Sequence, residues 1–222
     1  MEWVDNLRTQ LRQHDIFLDE AVLLKEVDFL MELLRWNKTY NLTSITDPVE
    51  AIEKHLIDSM LLLPYLDDVE SILDIGSGGG FPGIPLQIAR PQLRVTSVDA
   101  VAKKITFQRH VARQLKLNGL TPWHGRIEEV PRQDFSVSGF DFVVARAFSS
   151  LRDLIRLALP CVKPNGQIVA MKGPDGEKEL NEMGDWLVEQ GVCCDRQIFY
   201  SLPQSEARRS LLFFKVKPQD VV

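Results

Sequence analysis

The sequence has 222 residues, of which 45% are hydrophobic, a size and composition that suit one globular domain with a modest extension. The charged start of the chain lacks an apolar signal segment, and no apolar run approaches the roughly 18 residues of a membrane span. Three cysteines without a disulfide or zinc spacing predict reduced thiols, no metal site and a cytoplasmic protein.

The net charge of −5 is unevenly distributed along the chain. Residues 1–70 contain 15 acids and 6 Lys or Arg, whereas residues 90–126 contain 8 Lys or Arg and one acid, Asp99. The overall excess of acids argues weakly against a nucleic-acid partner, but the basic middle of the chain permits one. Charge alone therefore leaves the partner open.

Residues 1–66 predict a helical extension before the main domain. One buried helical face is indicated by apolar residues at i, i+3, i+4 and i+7, namely Val27, Leu30, Met31 and Leu34. Asp47 followed by Pro48 is a typical helix start. The helix that follows places His55 on an apolar stripe, where it is either a core histidine or a functional one.

From Ser71 onward, short apolar runs alternate with helical segments. We predict strands at 71–75, 94–99, 120–124, 140–145, 166–171, about 192–200 and 209–217, with helices near 83–90, 102–117, 150–159 and 176–190. This alternation predicts that residues 67–222 form a Rossmann-like α/β domain, with a mostly parallel seven-stranded sheet covered by helices on both faces. The last two strands are close in sequence, so we expect them to pair antiparallel.

A glycine-rich loop follows the first predicted strand. Glycines at 76 and 78–80 permit positive φ and let a ligand approach the backbone closely. The loop lies at the carboxyl edge of the sheet, where open α/β proteins bind ligands. Asp99 ends the second strand, 19 residues after Gly80, where a carboxylate accepts hydrogen bonds from both ribose hydroxyls. The pattern predicts an adenosine-containing ligand rather than a purely structural turn.

The residues around the loop distinguish between possible ligands. Pro82 and Pro85 remove backbone donors that a pyrophosphate would need at a helix N-terminus, and the glycine register departs from the dinucleotide pattern. The loop therefore favours S-adenosylmethionine (SAM), with S-adenosylhomocysteine as product, over a nicotinamide dinucleotide. Asp74 adds a carboxylate that either attracts the methionine amine or organises the loop, and Gly78 is placed at the cofactor.

Six motifs resemble those of one known family in order and spacing. They occupy residues 36–43, 54–59, 73–85, 125–129, 144–148 and 170–173. Over about residues 25–215 the chain resembles the RsmG (GidB) family of bacterial ribosomal RNA methyltransferases. The resemblance implies a class I SAM-dependent methyltransferase fold. It also implies methyl transfer to N7 of a guanine in the decoding-region loop of 16S ribosomal RNA, in the small ribosomal subunit.

The resemblance also implies roles for individual residues. It places Gly76 and Phe81 at the cofactor, and Ile127 and Glu128 beside the adenine. Arg146, after the fourth strand, borders both the cofactor and the substrate pocket. The triple glycine at 78–80 departs from relatives that often carry a proline there. No sequence feature indicates an obligate protein partner, so we expect a monomer.

The chemistry of N7 methylation requires few catalytic groups. Guanine N7 has an in-plane lone pair that attacks the sulfonium methyl directly, so neither a nucleophilic residue nor a base is required. Arg146 and Lys172 both follow strands and are predicted to provide positioning and positive charge. For Arg146, the alternative is a surface ion pair. Cys161 lies at a predicted helix end and is interpreted as a packed structural thiol rather than a nucleophile.

Other residues are candidates for binding the RNA. Phe148 either stacks on the target base or packs in the core, and Asn37 and Asn41 either form a wall of the base pocket or cap a helix. A basic stripe on the helix predicted at 102–117 either contacts RNA phosphates or is a solvated face. Its members are Lys103, Arg109, His110, Arg113 and Lys116.

The sequence leaves three other functions open. A small-molecule or protein methyltransferase would share the cofactor loop, a binding-only protein would sense the cofactor through an impaired loop, and a nicotinamide oxidoreductase fits the loop least. The sequence also leaves open whether naked RNA or an assembled subunit is the substrate.

Overall fold

Seven strands form a single sheet in the computed structural model, which describes residues 2–216. The strands are β1 (Ser71–Ile75), β2 (Arg94–Asp99), β3 (Leu120–His124), β4 (Phe140–Arg146), β5 (Val162–Lys172), β6 (Val192–Ser201) and β7 (Arg208–Val216). Their order is β3-β2-β1-β4-β5-β7-β6. The first five are parallel, whereas β7 runs antiparallel to both β5 and β6. The predicted Rossmann-like α/β sheet and its antiparallel last pair are confirmed. The predicted strand end at residue 217 lies outside the described residues.

Helices precede the sheet and alternate with its strands. They are α1 (Glu2–Arg12), α2 (Glu20–Tyr40), α3 (Pro48–Ala51), a π-helical turn (Ile52–Ile57), α4 (Asp58–Met60), α5 (Gly83–Ala89), α6 (Ala102–Gln114), α7 (Leu151–Ala158), α8 (Gly176–Asn181) and α9 (Gly184–Glu189). Short 3₁₀ turns lie at Leu63–Tyr65, Ile127–Arg132, Asp134–Ser136 and Leu159–Cys161. No helix within residues 2–216 is both long and apolar enough to cross a membrane.

The structure differs from the predicted elements at three places. The helix predicted at 176–190 is two short helices, α8 and α9, and glycine at 184 disfavours a continuous helix across the break. β5 begins earlier than predicted because Val162 pairs with Phe140 across an irregularity in the register. Met31, predicted on the buried face of α2, is exposed, whereas Leu30 is buried.

Side chains from the two faces of the sheet enter two apolar clusters. Ile72 of β1 belongs to the cluster that contains residues of α1, α2 and α5, whereas Leu73 and Ile75 belong to the cluster that contains residues of α7, α8 and α9. This alternation follows from the two-residue period of a strand. Both faces are therefore covered, and the carboxyl edge of the sheet is left for the loops that carry the candidate site.

Candidate active site

The glycine loop after β1 is a tight turn tied to the neighbouring strand. The Ser77 N–H donates to the Val98 carbonyl at 3.0 Å, and the Ser77 carbonyl accepts from the Gly80 N–H at 2.8 Å. Gly80 has a φ of 97°, and a Cβ there would lie 2.3 Å from Cδ1 of Ile84. Gly76 has a φ of 65°, and a Cβ there would have no atom within 4 Å. The loop thus requires glycine at 80 for packing and leaves open space at 76.

Asp99 connects this loop to the start of α6. Its Oδ2 accepts a hydrogen bond from the Gly78 N–H at 2.9 Å, and its Oδ1 accepts one from the Val101 N–H at 2.8 Å. The Lys104 ammonium lies 3.7 Å from Oδ2. Each carboxylate oxygen has two lone-pair sites, so Asp99 retains the capacity to accept two further hydrogen bonds.

Asp74 lies beneath the loop and is fully buried. Its Oδ2 accepts from the Gly83 N–H at 2.9 Å, while its Oδ1 has no hydrogen-bond partner within residues 2–216. Burial raises the pKa of Asp74 to about 7. Two roles were predicted for Asp74, organising the loop and attracting the methionine amine. The geometry shows the first, because the carboxyl joins β1 to the first turn of α5. Contact with a methionine amine stays a prediction.

A cavity of about 300 Å³ opens beside the glycine loop. Its lining includes Gly76, Val98, Asp99, Gly125, Ile127, Glu128, Phe148 and Leu157. Four residues predicted from sequence to bind the cofactor, at positions 76, 99, 127 and 128, are thus brought together here. We call this space the nucleoside cavity. Phe148, predicted to stack on the target base, also lines it.

A second cavity of about 350 Å³ lies on the other side of the end of β4. Its lining includes Lys54, His55, Asp58, Arg146, Ala147, Lys172, Gly173 and Arg209. Arg146 and Lys172, the last residues of β4 and β5, therefore meet at one crevice, as predicted from their places next to these strands. We call this space the basic crevice. Arg146 and Ala147 line this crevice and Phe148 lines the nucleoside cavity, so the chain at 146–148 borders both.

Arg146 is held by the helical segment at 52–60. Its Nη1 donates to the Lys54 carbonyl at 2.7 Å and to Asp58 Oδ2 at 3.4 Å, and its Nη2 donates to His55 Nδ1 at 3.2 Å. The guanidinium also lies 5.0 Å from the ring centroid of Phe81. These contacts overturn the alternative of an ordinary surface ion pair, because they fix the guanidinium within the fold.

His55 is a buried histidine that remains uncharged. Its Nδ1 accepts from Arg146, so its proton is on Nε2, which lies 3.0 Å from Thr43 Oγ1. Burial and the charge of Arg146 lower the pKa of His55 to about 3. The interpretation as a core histidine is confirmed, and the residue has the further effect of orienting Arg146.

Asp58 joins residues that are far apart in the sequence, and the sequence analysis missed it. Its Oδ1 accepts from the Tyr200 hydroxyl at 3.1 Å and lies 3.6 Å from Nε of Arg209, while its Oδ2 faces Arg146. Burial and the Asp58 charge raise the pKa of Tyr200, which keeps that hydroxyl a donor. Motif 54–59 contains Asp58, but nothing local points to its partners on β6 and β7.

The Lys172 ammonium makes two polar contacts within the fold. Its ammonium donates to the Phe148 carbonyl at 3.0 Å and lies 2.7 Å from Oε1 of Glu179. Oε2 of Glu179 in turn accepts from the Leu151 N–H at 2.9 Å. Lys172 therefore fastens the chain between the two cavities, and α8 supplies the carboxylate that the sequence analysis did not identify.

Phe81 and Cys161 are core residues. Phe81 is buried, and its ring lies 4.5 Å from that of His55 and 5.1 Å from that of Phe29. Its side chain lines neither the nucleoside cavity nor the basic crevice, so the predicted cofactor contact of Phe81 is not seen in the side-chain geometry. Cys161 is buried, which raises the pKa of its thiol to about 11 and confirms a structural role.

Asn37 and Asn41 lie at the end of α2 and line neither of the two cavities. Asn37 Oδ1 accepts from the N–H groups of Leu42 and Thr43 at 2.6 and 2.9 Å, and Asn41 ends the helix with a φ of 48°. Both line a groove of about 1060 Å³ between α2 and the following loop. Their capping role is thus visible, and their contact with a base stays a prediction.

The basic stripe on α6 lies on the exposed side of the helix. Lys103, Arg109 and Arg113 are exposed. At about 100° per residue, Arg113 is about 40° from Arg109 and about 80° from Lys103, so the three lie within an arc of about 120°. His110 is not a free member, since its Nε2 lies 2.6 Å from Oε1 of Glu32 on α2. Contact of the stripe with RNA stays a prediction.

Comparison with known proteins identifies relatives over most of the chain. Residues 24–197 match the family model GidB, described as rRNA small subunit methyltransferase G. The ribosomal RNA small subunit methyltransferase G of Syntrophotalea carbinolica is 44% identical over 214 residues, which cover 96% of this chain and 98% of the relative. The protein of the same name from Staphylococcus aureus is 38% identical over 221 residues, covering 99% and 91%.

Solved structures show the same fold at low sequence identity. An O-methyltransferase of Bacillus cereus in complex with SAH superposes with a TM-score of 0.63 at 16% identity, covering 97% of this chain and 99% of that one. Cofactor-bound Rv0187 from MTB superposes with a TM-score of 0.63 at 18% identity, covering 86% and 91%. The fold is therefore that of class I methyltransferases.

Proposed function

Because the chain belongs to the rRNA small subunit methyltransferase G family, we propose that it methylates N7 of a guanine in the decoding-region loop of 16S ribosomal RNA. Family and fold together make it a SAM-dependent methyltransferase. The observation that supports the proposal most is that residues 146–148 border both a nucleoside-sized cavity, through Phe148, and a basic crevice, through Arg146.

The residues of the nucleoside cavity fit the adenosine part of the cofactor. Asp99 has acceptor capacity left for the two ribose hydroxyls. Gly76 leaves space next to its backbone, and Ile127 offers a buried apolar wall for the adenine. Glu128, the residue after Ile127, lines the same cavity. When bound, SAM supplies an electrophilic methyl group on a sulfonium.

The basic crevice suits a nucleotide that is unpaired. A guanidinium has five N–H donors, and the contacts of Arg146 with Lys54, His55 and Asp58 use three of them. The two remaining donors match acceptors such as guanine O6 or a phosphate. Arg146 thereby orients the base, and Lys172 adds positive charge at the wall of the crevice. Orientation of this kind contributes about 7–11 kcal/mol to bimolecular reactions.

The methyl-transfer step requires no general base. The N7 lone pair attacks the methyl carbon, and the electrons of the S–CH₃ bond remain on sulfur. His55 is uncharged and engaged at both ring nitrogens, so it orients Arg146 and moves no proton. The basic crevice thus contains positioning groups, in keeping with a nucleophile that needs no general base.

Transfer of labelled methyl from SAM to small ribosomal subunits that lack the modification tests the proposal. The expected result is label on a single guanine that is removed by cleavage chemistry specific to N7-methylguanine. Naked 16S RNA is assayed in parallel to identify which form is the substrate. Label on another base would disprove the assignment to N7, and label only on a small molecule or protein would disprove the RNA substrate.

Asp99→Ala tests the cofactor site separately from the RNA target. Loss of both carboxylate oxygens removes the ribose acceptors, so we expect cofactor affinity to fall at least about tenfold by calorimetry. Methyl transfer should fall with it at limiting cofactor. Unchanged affinity would remove Asp99 from the cofactor site without affecting the assignment of the RNA target.

A further inference from the structure

A third cavity adjoins the basic crevice at the hairpin formed by β6 and β7. It has a volume of about 350 Å³. Gly173 and Arg209 line both spaces, so the two adjoin. Neither the sequence motifs nor the proposed methyl transfer to the target guanine assigns a role to this third cavity. We call it the hairpin cavity.

The lining of the hairpin cavity has the chemistry of a nucleotide site. Phe199 is 53% exposed although it is a large apolar side chain. Arg208 is exposed beside it. In the register of the hairpin, Phe199 is opposite Ser210, and Ser201 is opposite Arg208, so these side chains share one face. An aromatic ring and a guanidinium therefore point to the same side.

Ser210 provides an independent indication of a ligand. It is 2% exposed, lines the hairpin cavity, and its Oγ has no hydrogen-bond partner within residues 2–216. A buried hydroxyl without a hydrogen-bond partner destabilises the fold. A bound polar group that forms a hydrogen bond with it would offset that cost. Glu177 lines the same cavity and provides a carboxylate acceptor for an exocyclic amine.

The opposite face of the hairpin is already engaged with the basic crevice. Tyr200 and Arg209 contact Asp58, which also holds Arg146. The hairpin thus borders both spaces, and Arg209 lines each of them. A nucleotide in the basic crevice would therefore have its neighbour next to the hairpin cavity.

We infer that the hairpin cavity binds the nucleotide next to the target guanine in single-stranded RNA, with its base on Phe199 and its phosphate at Arg208. This inference rests on the proposed function. The target base must leave its stack to reach the methyl group, and its neighbour thereby loses a stacking partner. An aromatic side chain replaces that partner, as in other proteins that bind single strands.

Phe199→Ala tests the stacking. KM for small subunits should rise about tenfold, the lower part of the range for loss of one base–aromatic stack, with kcat and cofactor affinity unchanged. Phe199→Trp should restore the wild-type KM, which a structural role in the hairpin would not require. The control is Phe17→Ala, which removes a 72% exposed phenylalanine outside the three cavities. Equal KM values in the wild type and Phe199→Ala would overturn the inference.

Arg208→Gln tests the phosphate contact. For a single strand, loss of one contact reduces the slope of log affinity against log salt by about 0.7. Arg12→Gln removes an exposed arginine on α1 and should leave the slope unchanged. An unchanged slope in Arg208→Gln would contradict the phosphate contact.

A photo-crosslinker distinguishes RNA from protein as the occupant. With p-benzoylphenylalanine at position 199, we expect crosslinks to the nucleotide directly before or after the methylated guanine. Crosslinks to a ribosomal protein or to a distant nucleotide would overturn the inference. If the wild-type chain transfers no methyl to the RNA, the proposed function itself fails. Normal transfer with a misplaced crosslink rejects the hairpin cavity alone.

Discussion

Asp58 has more influence on the basic crevice than its buried position suggests. One carboxylate lies between two guanidinium groups, those of Arg146 and Arg209, and also accepts from Tyr200. Without that negative charge, the two cations would repel each other, and Arg146 would retain only the Lys54 carbonyl and His55. Asp58 is thus a positioning residue whose effect on the reaction passes through Arg146.

Asp58→Asn should lower kcat by about 10- to 100-fold, the loss expected for hydrogen bonds to a charged group. Cofactor affinity should stay within about twofold of the wild type, because Asp58 lies outside the nucleoside cavity. Tyr200→Phe removes only one donor to the same carboxylate and is the matched control, with a smaller loss. The test is a double-mutant cycle in steady-state kinetics. If Asp58→Asn lowers kcat further in an Arg146→Ala background, the residue does not act through Arg146.

Asp74→Asn should change the pH dependence of stability. The pKa of Asp74 is raised to about 7 in the folded chain, from an ordinary value of 3.8, so the folded state binds more protons than the unfolded state between these values. The wild type therefore loses stability at this site as pH rises from about 4 to about 7, by up to about 4 kcal/mol. The asparagine does not titrate, so the variant should gain relative to the wild type over this window. Urea unfolding at several pH values without cofactor measures this, and a constant difference would contradict it.

The turn between β1 and α5 is the element on which the nucleoside cavity depends. Its glycines have different functions, because position 80 is closed by Ile84 and position 76 faces open space. The order of strand, turn and helix could be predicted from the sequence, since β1 is a short apolar run followed by glycines. Which glycine is needed for packing depends on the neighbouring helix and could not be predicted.

Gly80→Ala should destabilise the chain by about 1–3 kcal/mol, because it combines an unfavourable φ with a clash against Ile84. The matched control is Gly184→Ala, where α9 begins and an added Cβ meets no atom within 4 Å. That variant should be neutral or slightly more stable. Thermal unfolding of the two variants compares them directly. Similar melting temperatures would show that the turn tolerates a side chain at 80.

At the scale of the whole molecule, the N-terminal helices and the sheet share one core. Phe29 of α2 lies 5.1 Å from Phe81 and 6.3 Å from Phe107 of α6, measured between ring centroids. Leu7 of α1 and Leu33 of α2 belong to the same cluster as Phe213 of β7. One apolar core therefore extends across the domain boundary expected at residue 66.

A chain that starts at Asp67 should fail to fold cooperatively. Each large apolar side chain in the shared core contributes about 1.5–3 kcal/mol, and residues 1–66 supply many of them. Their loss exceeds the about 5–15 kcal/mol by which a typical domain is stable. Near-UV circular dichroism and urea unfolding are the measurements. A single cooperative transition with retained cofactor binding would instead establish residues 67–222 as an independent domain.

Sequence reasoning succeeded for features set by residues close together in the chain and failed for contacts between residues far apart in it. Strands, the glycine loop and Asp99 follow local rules of periodicity and spacing, and the structure brings Gly76, Asp99, Ile127 and Glu128 to one cavity. The partners of Arg146 and Lys172 could not be found this way. Asp58 pairs with Arg146 and Arg209, and Glu179 pairs with Lys172, only in the assembled fold.

The same long-range dependence explains Phe81 and the α6 stripe. The side chain of Phe81 turns into the core because α2 and the segment at 52–57 offer aromatic neighbours there. His110 leaves the stripe because Glu32 and Trp36 of α2 face it. Neither outcome follows from the spacing of residues within one helix or loop.

The segment at 146–148 is the common wall of the nucleoside cavity and the basic crevice. Arg146 faces one side, Phe148 faces the other, and Lys172 fastens the wall through the Phe148 carbonyl. A ligand that shifts this wall from either side changes the space available on the other. Thermodynamic linkage then requires reciprocity: whatever factor the cofactor imposes on RNA affinity, the RNA imposes on cofactor affinity. The extent to which residues 146–148 move when one ligand binds therefore sets the size of this coupling.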